Sequence, residues 1–244
     1  MTEIFDLTDR VAVVTGGSRG LGLQMALAFA AAGADVVVAA RTPEPCEAAA
    51  RKVRDLGRRA LPVAMDVSRW DDNELLADAA YGAFGKVDVL VNNAGMSPPP
   101  DSSYDTPEEL FDLAVGVNFK GPFRLTSIIG PRMVASGSGS IINISASGTH
   151  PRLGPYAGAK AALTALTTVF ALEYAPTVRV NTIAAGPFLT DAAADWPDDD
   201  RKHTPSALGR PGRPKEIVGT ALYLAGDASS FTTGALIRVD GGPA

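Results

Sequence analysis

The chain has very little cysteine, histidine or tryptophan, and these shortages exclude whole classes of protein. Among its 244 residues are one cysteine, two histidines and two tryptophans. The lone Cys46 cannot form an internal disulfide, and no spacing among Cys46 and the histidines is typical of a metal site. The segment from Met1 to Arg10 is too polar and too acidic for a secretory signal. We therefore expect a cytoplasmic protein with no metal site.

Positive charge and long apolar runs are scarce as well. The chain has 22 Lys and Arg against 27 Asp and Glu, a formal net charge of −5. No basic surplus exists to neutralise a nucleic acid or coat an anionic membrane. No apolar run approaches the roughly 20 residues of a membrane span. We expect neither partner, and the 46% hydrophobic content predicts a single globular domain over residues 1–244.

Short apolar runs alternate with helical patterns throughout. The predicted strands are Val11–Thr15, Val36–Ala39, Ala60–Met65, Val87–Val91, Ser140–Ile144, Arg179–Ile183 and Leu236–Val239. The predicted helices are Gly22–Ala32, Glu44–Leu56, Asn73–Phe84, Pro107–Met133, Tyr156–Glu173 and Pro214–Ala225. Strands that are apolar on both faces and separated by helices are typical of a parallel sheet covered on both sides. We predict an α/β fold, a doubly wound parallel sheet of about seven strands.

Two irregular stretches break this rhythm, Met96–Thr106 and Pro187–Pro214. Both are too irregular to belong to a core. Long loops in compact domains are usually lids or binding loops. We predict a substrate loop at about 187–214. The alternative is a solvent-exposed loop with no role in binding.

A glycine cluster follows the first strand and opens the first helix. Glycines there let backbone amides approach an anion at the helix N-terminus, which suits a dinucleotide pyrophosphate. The spacing Gly16, Gly20, Gly22 differs from the common G-x-G-x-x-G arrangement. The predicted phosphate-binding residues are Gly16, Ser18, Arg19, Gly20, Leu21 and Gly22.

The second strand ends without the acid that would hold a free ribose 2′-hydroxyl. Arg41 stands there instead, and together with Arg19 it could grip a 2′-phosphate. This favours NADP(H) over NAD(H). Glu44 remains a rival contact, and two ordinary solvated arginines are the plain alternative.

Tyr156 and Lys160 lie four residues apart in a helical segment, so both side chains project from one face. A nearby ammonium favours the phenolate form of a tyrosine and moves it toward acid/base use near neutral pH. Alone, the pair would be interpreted as ordinary surface residues. The other motifs in the chain favour a catalytic role for it.

Several motifs occur in one order. They are the glycine cluster, Asp66-Val67, Asn92-Asn93-Ala94-Gly95, Asn118, Tyr156-x-x-x-Lys160, Gly186-Pro187 and Asp240-Gly241-Gly242. In this ordered set the chain resembles the short-chain dehydrogenase/reductase family, in its 3-oxoacyl-reductase-like subgroup, along essentially its whole length. The resemblance implies a Rossmann-like fold. It also implies a homotetramer, or a homodimer, built by its long helices.

The resemblance also implies an NADP(H)-dependent oxidoreductase that moves a hydride between nicotinamide and a ketone or secondary alcohol. Tyr156 would be the general acid or base, Lys160 would lower its pKa and hold the nicotinamide ribose, and Asn118 would anchor a proton-relaying water. The other implied cofactor contacts are Asp66, Val67, Asn93, Ala94, Gly95, Pro187 and Thr190. From the residues alone, Asp66 could instead cap a helix, and Asn92 and Asn93 could simply turn a strand end.

One position departs from the family pattern. Family members usually carry a substrate-orienting serine thirteen residues before the tyrosine, where this chain has Asn143. Alignment on the strand instead places Ala146 there, followed by a shortened loop. We choose Ser145 as the substitute because it ends the strand. The alternatives are Ser147 or no serine at all. His150, in the same loop, could also reach the pocket.

The displaced serine motivates a rival hypothesis, a cofactor-binding regulator or structural member of the same fold with little catalysis. The intact Tyr156, Lys160 and Asn118 argue against it. The identity of the substrate does not follow from these motifs.

Overall fold

The computed structural model describes residues 3–97, 102–148, 153–193, 198, 199, 202, 204 and 206–242. Seven parallel strands form one sheet in the order β3-β2-β1-β4-β5-β6-β7. Their bounds are β1 Val11–Thr15, β2 Asp35–Ala40, β3 Ala60–Ala64, β4 Val89–Asn92, β5 Gly139–Ala146, β6 Val178–Ala185 and β7 Leu236–Val239. The predicted doubly wound α/β fold is confirmed, with the predicted number of strands.

Helices cover both faces of the sheet. They are α1 Gly20–Ala31, α2 Pro43–Asp55, α3 Trp70–Phe84, α4 Glu108–Val115, α5 Gly121–Ser136, α6 Gly154–Glu173 and α7 Val218–Ala225. One core joins α1, α2 and α7 to the sheet, and a second core joins α3, α5 and α6 to the opposite face. Both faces are therefore apolar, as the unbroken runs of Val and Ile in the strands predict.

One predicted helix differs from its expected form. The long helix expected over Pro107–Met133 is divided by a π-helical turn, Gly116–Lys120, between α4 and α5. A π turn inserts one extra residue into a helix and often marks a functional position. Such an insertion leaves the apolar periodicity on either side almost unchanged, so the pattern of the sequence does not reveal it.

Part of the stretch Pro187–Pro214 belongs to the core, so the expectation that it lies wholly outside was wrong. Phe188 is only 6% exposed and packs in the core beneath α1 and α7. Its backbone forms an isolated parallel bridge with Gly212. A Cβ on Gly212 would lie 2.6 Å from the Phe188 ring, so glycine makes room for the buried aromatic. The loop is thus anchored at its base.

The described residues hold no helix long and apolar enough to cross a membrane. Within the same residues, no three His, Cys, Asp or Glu side chains gather into a possible metal site. Because all strands are parallel, their carboxyl ends meet at one edge of the sheet. The motifs singled out in the sequence follow these strand ends.

Candidate active site

The glycine loop between β1 and α1 folds tightly on itself. Gly16 and Gly20 have φ of +63° and +54°, a region that favours glycine. A Cβ on Gly22 would lie 2.2 Å from the Gly16 carbonyl oxygen. Gly16 and Gly22 therefore cannot carry side chains without moving the loop. Ser18 and Arg19 precede the first turn of α1, and Leu21 packs from that turn against the core.

Hydrogen bonds join the residues that follow β4 to the same loop. The Asn93 Nδ2 donates to the carbonyl oxygens of Thr15 and Gly16, at 2.8 and 3.3 Å. The Thr15 hydroxyl accepts the backbone amides of Asn93 and Ala94, each at 3.0 Å. These bonds hold the segment Asn93–Gly95 beside the glycine loop, where a bound dinucleotide would lie between the loop and the sheet edge.

Two arginines near the loop carry free positive charge. Arg19 and Arg41 are both exposed, and the guanidinium group of neither forms an ion pair or hydrogen bond within the described part of the chain. Glu44, the rival contact, is exposed in the first turn of α2. Both guanidinium groups are therefore available to an anion at the end of β2.

Asp66 and Val67 lie just after β3, as predicted. The Asp66 Oδ1 accepts the amide and the hydroxyl of Ser68, at 2.9 and 2.8 Å. Helix α3 begins at Trp70, so Asp66 shapes the preceding turn and does not cap the helix. Val67 is buried, and a Cβ on Gly121 would lie 2.3 Å from its carbonyl oxygen. Helix α5 thus packs closely on this turn.

Tyr156 and Lys160 lie one turn apart on α6. The Lys160 Nζ donates to the Ile144 carbonyl oxygen at 2.7 Å and lies 5.9 Å from the centre of the Tyr156 ring. Lys160 is 4% exposed, and burial lowers its pKa to about 8. Burial also raises the pKa of Tyr156. The expectation that Lys160 lowers the tyrosine's pKa is thus not met in this structure, because burial dominates.

Asn118 lies at the centre of the π-helical turn and is fully buried. Its Nδ2 donates to the carbonyl oxygens of Met96 and Ala114, both at 2.9 Å, and its Oδ1 accepts the Met96 amide at 3.3 Å. A Cβ on Gly95 would lie 3.0 Å from the Asn118 Oδ1 and 3.5 Å from the Lys160 Nζ. Asn118, Gly95 and Lys160 therefore meet at one point.

The loop after β6 returns to the glycine cluster. A Cβ on Gly20 would lie 3.5 Å from the Thr190 side chain. The Pro187 carbonyl accepts the Gly212 amide at 2.9 Å, which fixes this loop at its base. The structure thus gathers the predicted cofactor residues from the ends of β1, β3, β4 and β6 at one edge. That edge is where doubly wound sheets bind ligands.

Comparison with known proteins agrees with this geometry. The family described as "Enoyl-(Acyl carrier protein) reductase" matches residues 16–243, nearly the whole chain. An uncharacterized oxidoreductase of Mycobacterium tuberculosis is 44% identical over 98% of this chain and 94% of the relative. The chain belongs to the short-chain dehydrogenase/reductase family. As a member of this family, it is an oxidoreductase that acts on alcohol or ketone groups.

Two solved structures of the family are close in fold and differ in cofactor. A 7α-hydroxysteroid dehydrogenase in complex with NADH and 7-oxo glycochenodeoxycholic acid has a TM-score of 0.92 and 32% identity, over 100% of this chain and 97% of that one. An NADPH-dependent 3-quinuclidinone reductase from Rhodotorula rubra has a TM-score of 0.91 and 30% identity, over 98% and 92%.

The serine region departs from the family pattern, and the contacts of Ser145 do not fit the role predicted for it. Its hydroxyl donates to the Lys160 carbonyl at 2.9 Å and lies 2.8 Å from the Thr164 hydroxyl. Ser145 therefore ties β5 to α6. Ser147 is the alternative, and its buried hydroxyl makes no hydrogen bond with the described residues. His150, the remaining candidate, lies outside the described residues.

A buried polar network beneath the site was missed by the sequence analysis. The Asn92 Nδ2 donates to the Thr126 hydroxyl and, at 2.8 Å, to the Asn143 Oδ1. The Asn143 Nδ2 then donates to Thr167 on α6 at 2.9 Å. Asparagine within otherwise apolar strands was the available signal, since buried amides need partners. The residue thirteen positions before Tyr156 thus links β4, β5 and α6.

Proposed function

We propose that this protein is an NADP(H)-dependent oxidoreductase that interconverts a ketone and a secondary alcohol, with Tyr156 as the general acid or base. The observation that carries the proposal is the meeting of Tyr156, Lys160 and Asn118 at the sheet edge beside the glycine loop. A dinucleotide would fit this edge because Gly16 and Gly22 let the loop fold closely against itself and against Asn93, at the N-terminus of α1. When bound, nicotinamide supplies or accepts the hydride.

The proton chemistry belongs to the chain's own residues. Because burial raises the pKa of Tyr156, its phenol stays protonated at neutral pH. A neutral phenol is the form that donates a proton to the oxygen of a ketone being reduced. Lys160, one turn along α6 and with a pKa that burial lowers to about 8, would give the phenolate a new proton, and solvent would replace it through a water anchored by Asn118. The protonated phenol is thus the form of Tyr156 that serves the reduction step at neutral pH.

The preference for NADP(H) rests on charge at the end of β2. Arg41 and Arg19 are exposed and free of ion pairs within the described part of the chain. A 2′-phosphate brings up to two negative charges and several acceptor oxygens, which guanidinium groups bind well. A ribose 2′-hydroxyl would find no carboxylate at the strand end. Glu44 on α2 is the group that would favour NAD(H) instead.

The first test is calorimetric titration of the wild-type protein with NADPH and with NADH. We expect tighter binding of NADPH, and Arg41→Ala should weaken NADPH binding about tenfold or more while leaving NADH binding nearly unchanged. Arg51→Ala, an exposed arginine further along α2, is the matched control. Equal affinities for the two cofactors would refute the 2′-phosphate site, and no binding of either would refute the enzyme proposal.

The substrate loop at about 187–214 is the proposed determinant of specificity. Its base is anchored by the buried Phe188 and by Gly212, and the next residue, Leu189, remains 36% exposed. This exposed apolar side chain, one residue before Thr190, suits a medium-sized, partly apolar ketone. Turnover of a ketone panel by wild type, and its loss in Tyr156→Phe, separates this enzyme from a regulator that binds cofactor without catalysis.

We further propose a cytoplasmic homotetramer. Cys46, the only cysteine, is buried and unpaired, as suits a reducing compartment. Apolar side chains stand exposed on the long helices, with Val169 at 53% and Leu172 at 76% on α6 and Phe123 at 37% on α5. Exposed apolar stripes of this kind mark surfaces where copies of a chain pack. A homodimer through the same helices is the alternative.

A further inference from the structure

A chain of buried polar side chains crosses the molecule beneath the sheet edge that carries the site. Its members lie on five different elements, and each is at most 2% exposed. In spatial order they are Thr126 on α5, Asn92 on β4, Asn143 on β5, Thr167 on α6 and Thr182 on β6. We call these five residues the polar chain. The hydrogen bonds that join successive members are 3.0, 2.8, 2.9 and 2.6 Å long.

The bond between Asn143 and Thr167 fixes helix α6 along its axis. The Asn143 Nδ2 donates to the Thr167 hydroxyl at 2.9 Å, and this hydroxyl lies 2.6 Å from that of Thr182. An α-helix rises about 1.5 Å per residue, and a hydrogen bond is lost once donor and acceptor are more than about 3.5 Å apart. A slip of α6 by a single residue would therefore break both bonds. Phe170 and Ala171, further along α6, contact the core through apolar packing, which is not directional.

The acid/base residues lie on the same helix. Lys160 lies about two turns before Thr167, and Tyr156 lies one turn earlier still, close to the start of α6 at Gly154. A helix transmits displacements as a rigid element, so a movement of Thr167 along the axis would reach Tyr156. The same movement would separate the Lys160 Nζ from the Ile144 carbonyl oxygen, to which it donates at 2.7 Å.

Two strands of the polar chain lead to segments that the cofactor would contact. Strand β4 continues into Asn93–Gly95, and β6 is followed by the loop that contains Pro187 and Thr190. The polar chain therefore ties the helix that carries Tyr156 to the two strands whose ends would hold the dinucleotide. Directional bonds, and not apolar packing alone, set the distances across the site.

Stability alone does not account for this network. Exchanging hydrogen bonds with water for buried ones returns little net free energy, and apolar groups of the same shape can replace a bonded pair at almost no cost. Buried polar groups that are bonded to one another specify one arrangement, because other arrangements leave a donor or acceptor without a partner. Here the specified arrangement places an acid/base helix on a cofactor-binding sheet.

We propose that Thr167 and Asn143 are positioning residues of this enzyme, whose hydrogen bond sets the register of α6 on β5 and so places the Tyr156 phenol within reach of the reacting oxygen. Both side chains are buried, so they act through the helix and not by touching the substrate. This inference rests on the proposed ketone reduction with Tyr156 as the acid or base.

The polar chain supplies its own matched control. Thr167→Val removes a hydroxyl that accepts from Asn143, and Thr126→Val, at the opposite end, removes one that accepts from Asn92. Both substitutions nearly keep the shape of the side chain, and both leave a buried amide hydrogen without this acceptor. Both should therefore lower the melting temperature by similar amounts. Only Thr167→Val changes a bond to α6.

The kinetic test compares ketone reduction by wild type, Thr167→Val, Thr167→Ser and Thr126→Val, well below their melting temperatures. Because a misplacement of about 1 Å can cost on the order of 100-fold in rate, we expect Thr167→Val to lower kcat about tenfold or more, with the affinity for NADPH nearly unchanged. Thr167→Ser keeps the hydroxyl and should recover most of the rate, and Thr126→Val should keep the wild-type kcat. Equal losses of kcat in Thr167→Val and Thr126→Val overturn the proposal.

A second variant removes the same bond from the side of the strand. Asn143→Leu fills the space with an apolar side chain and takes away the donor to Thr167. We expect its kcat to fall by a factor similar to that of Thr167→Val. A wild-type kcat in Asn143→Leu would overturn the proposal.

A further measurement needs no turnover and reports the position of α6 directly. Carbon-13 NMR of labelled lysines follows the pKa of Lys160, whose signal is identified by its absence in Lys160→Met. Burial lowers this pKa to about 8, so a displaced helix that admits water should raise it toward the usual 10.5 in Thr167→Val and leave it unchanged in Thr126→Val. An unchanged pKa in Thr167→Val overturns the proposal. A wild-type protein inactive on every ketone refutes the proposed function, whereas an active wild type beside a fully active Thr167→Val refutes only this inference.

Discussion

Lys160 is a buried cation whose only hydrogen-bond acceptor among the described residues is the Ile144 carbonyl. Burial lowers its pKa to about 8 from the usual 10.5, because a charged ammonium loses its hydration inside the protein. The unfolded chain keeps this proton until about pH 10.4, as a solvated lysine does. Between these two values the unfolded state binds more protons than the folded state.

We therefore expect the free energy of unfolding to gain a contribution from Lys160 that rises with pH from about 8 to about 10. In Lys160→Met this contribution is absent. The measurement is urea unfolding of both proteins at several pH values, with the difference between them plotted against pH. The contributions of the other titrating groups are the same in both proteins and cancel in that difference. A difference that does not change between pH 8 and pH 10 would show that Lys160 is not desolvated in the folded protein.

At the scale of residues, the sequence predicts which residues belong to the site more reliably than it predicts what their side chains contact. The four-residue spacing of Tyr156 and Lys160 was enough to place them on one helix face, and the structure confirms that placement. The choice between Ser145 and Ser147 depended on which way each hydroxyl points and what it meets. That depends on the packing of α6 against β5, which adjacent residues in the chain do not encode.

At the scale of elements, the strand, glycine loop and first helix could be predicted almost to the residue, because local chemistry fixes them. Positive φ values demand glycine at Gly16 and Gly20, and β1 has its predicted bounds, Val11–Thr15. The π turn around Asn118 and the burial of Phe188 could not be predicted. Both arise where one element packs on another, as Phe188 does through the space left at Gly212.

The glycine loop gives a prediction with a matched control. In Gly22→Ala the new methyl would lie 2.2 Å from the Gly16 carbonyl and 2.5 Å from the Asn93 Nδ2. We expect a loss of about 1–3 kcal/mol in the free energy of unfolding, together with weakened binding of the dinucleotide, because the loop must open. Both are measured on one preparation, by urea unfolding and by calorimetric titration with NADPH.

The control is Gly82→Ala, a helix position in α3 where nothing lies within 4 Å of the added methyl. Alanine there should stabilise the protein by about 0.5–1 kcal/mol and leave cofactor binding alone. Equal effects of the two substitutions would mean that the loop tolerates a side chain, which would contradict the close contact.

At the scale of the whole molecule, the parallel sheet with helices on both faces followed from the alternation of strands and helices, since parallel strands need helical crossovers. The sheet order β3-β2-β1-β4-β5-β6-β7 reverses direction between β1 and β4, and the predicted site residues flank that crevice. The assembly is harder to read from sequence. A surface residue becomes an interface residue only through its neighbours in space, so the exposed apolar side chains of α5 and α6 had to be found in the structure.

The proposed tetramer yields the last prediction. Val169 and Leu172 lie one turn apart on α6 and are 53% and 76% exposed, so a helix from another copy can cover both. Charged side chains there would be buried without partners, and we expect Val169→Asp with Leu172→Glu to give a smaller assembly in sedimentation velocity. Leu75→Glu, on α3 and 66% exposed, is the control and should keep the wild-type mass. A tetramer that survives the double substitution would place the contact elsewhere, and a monomeric wild type would exclude the assembly itself.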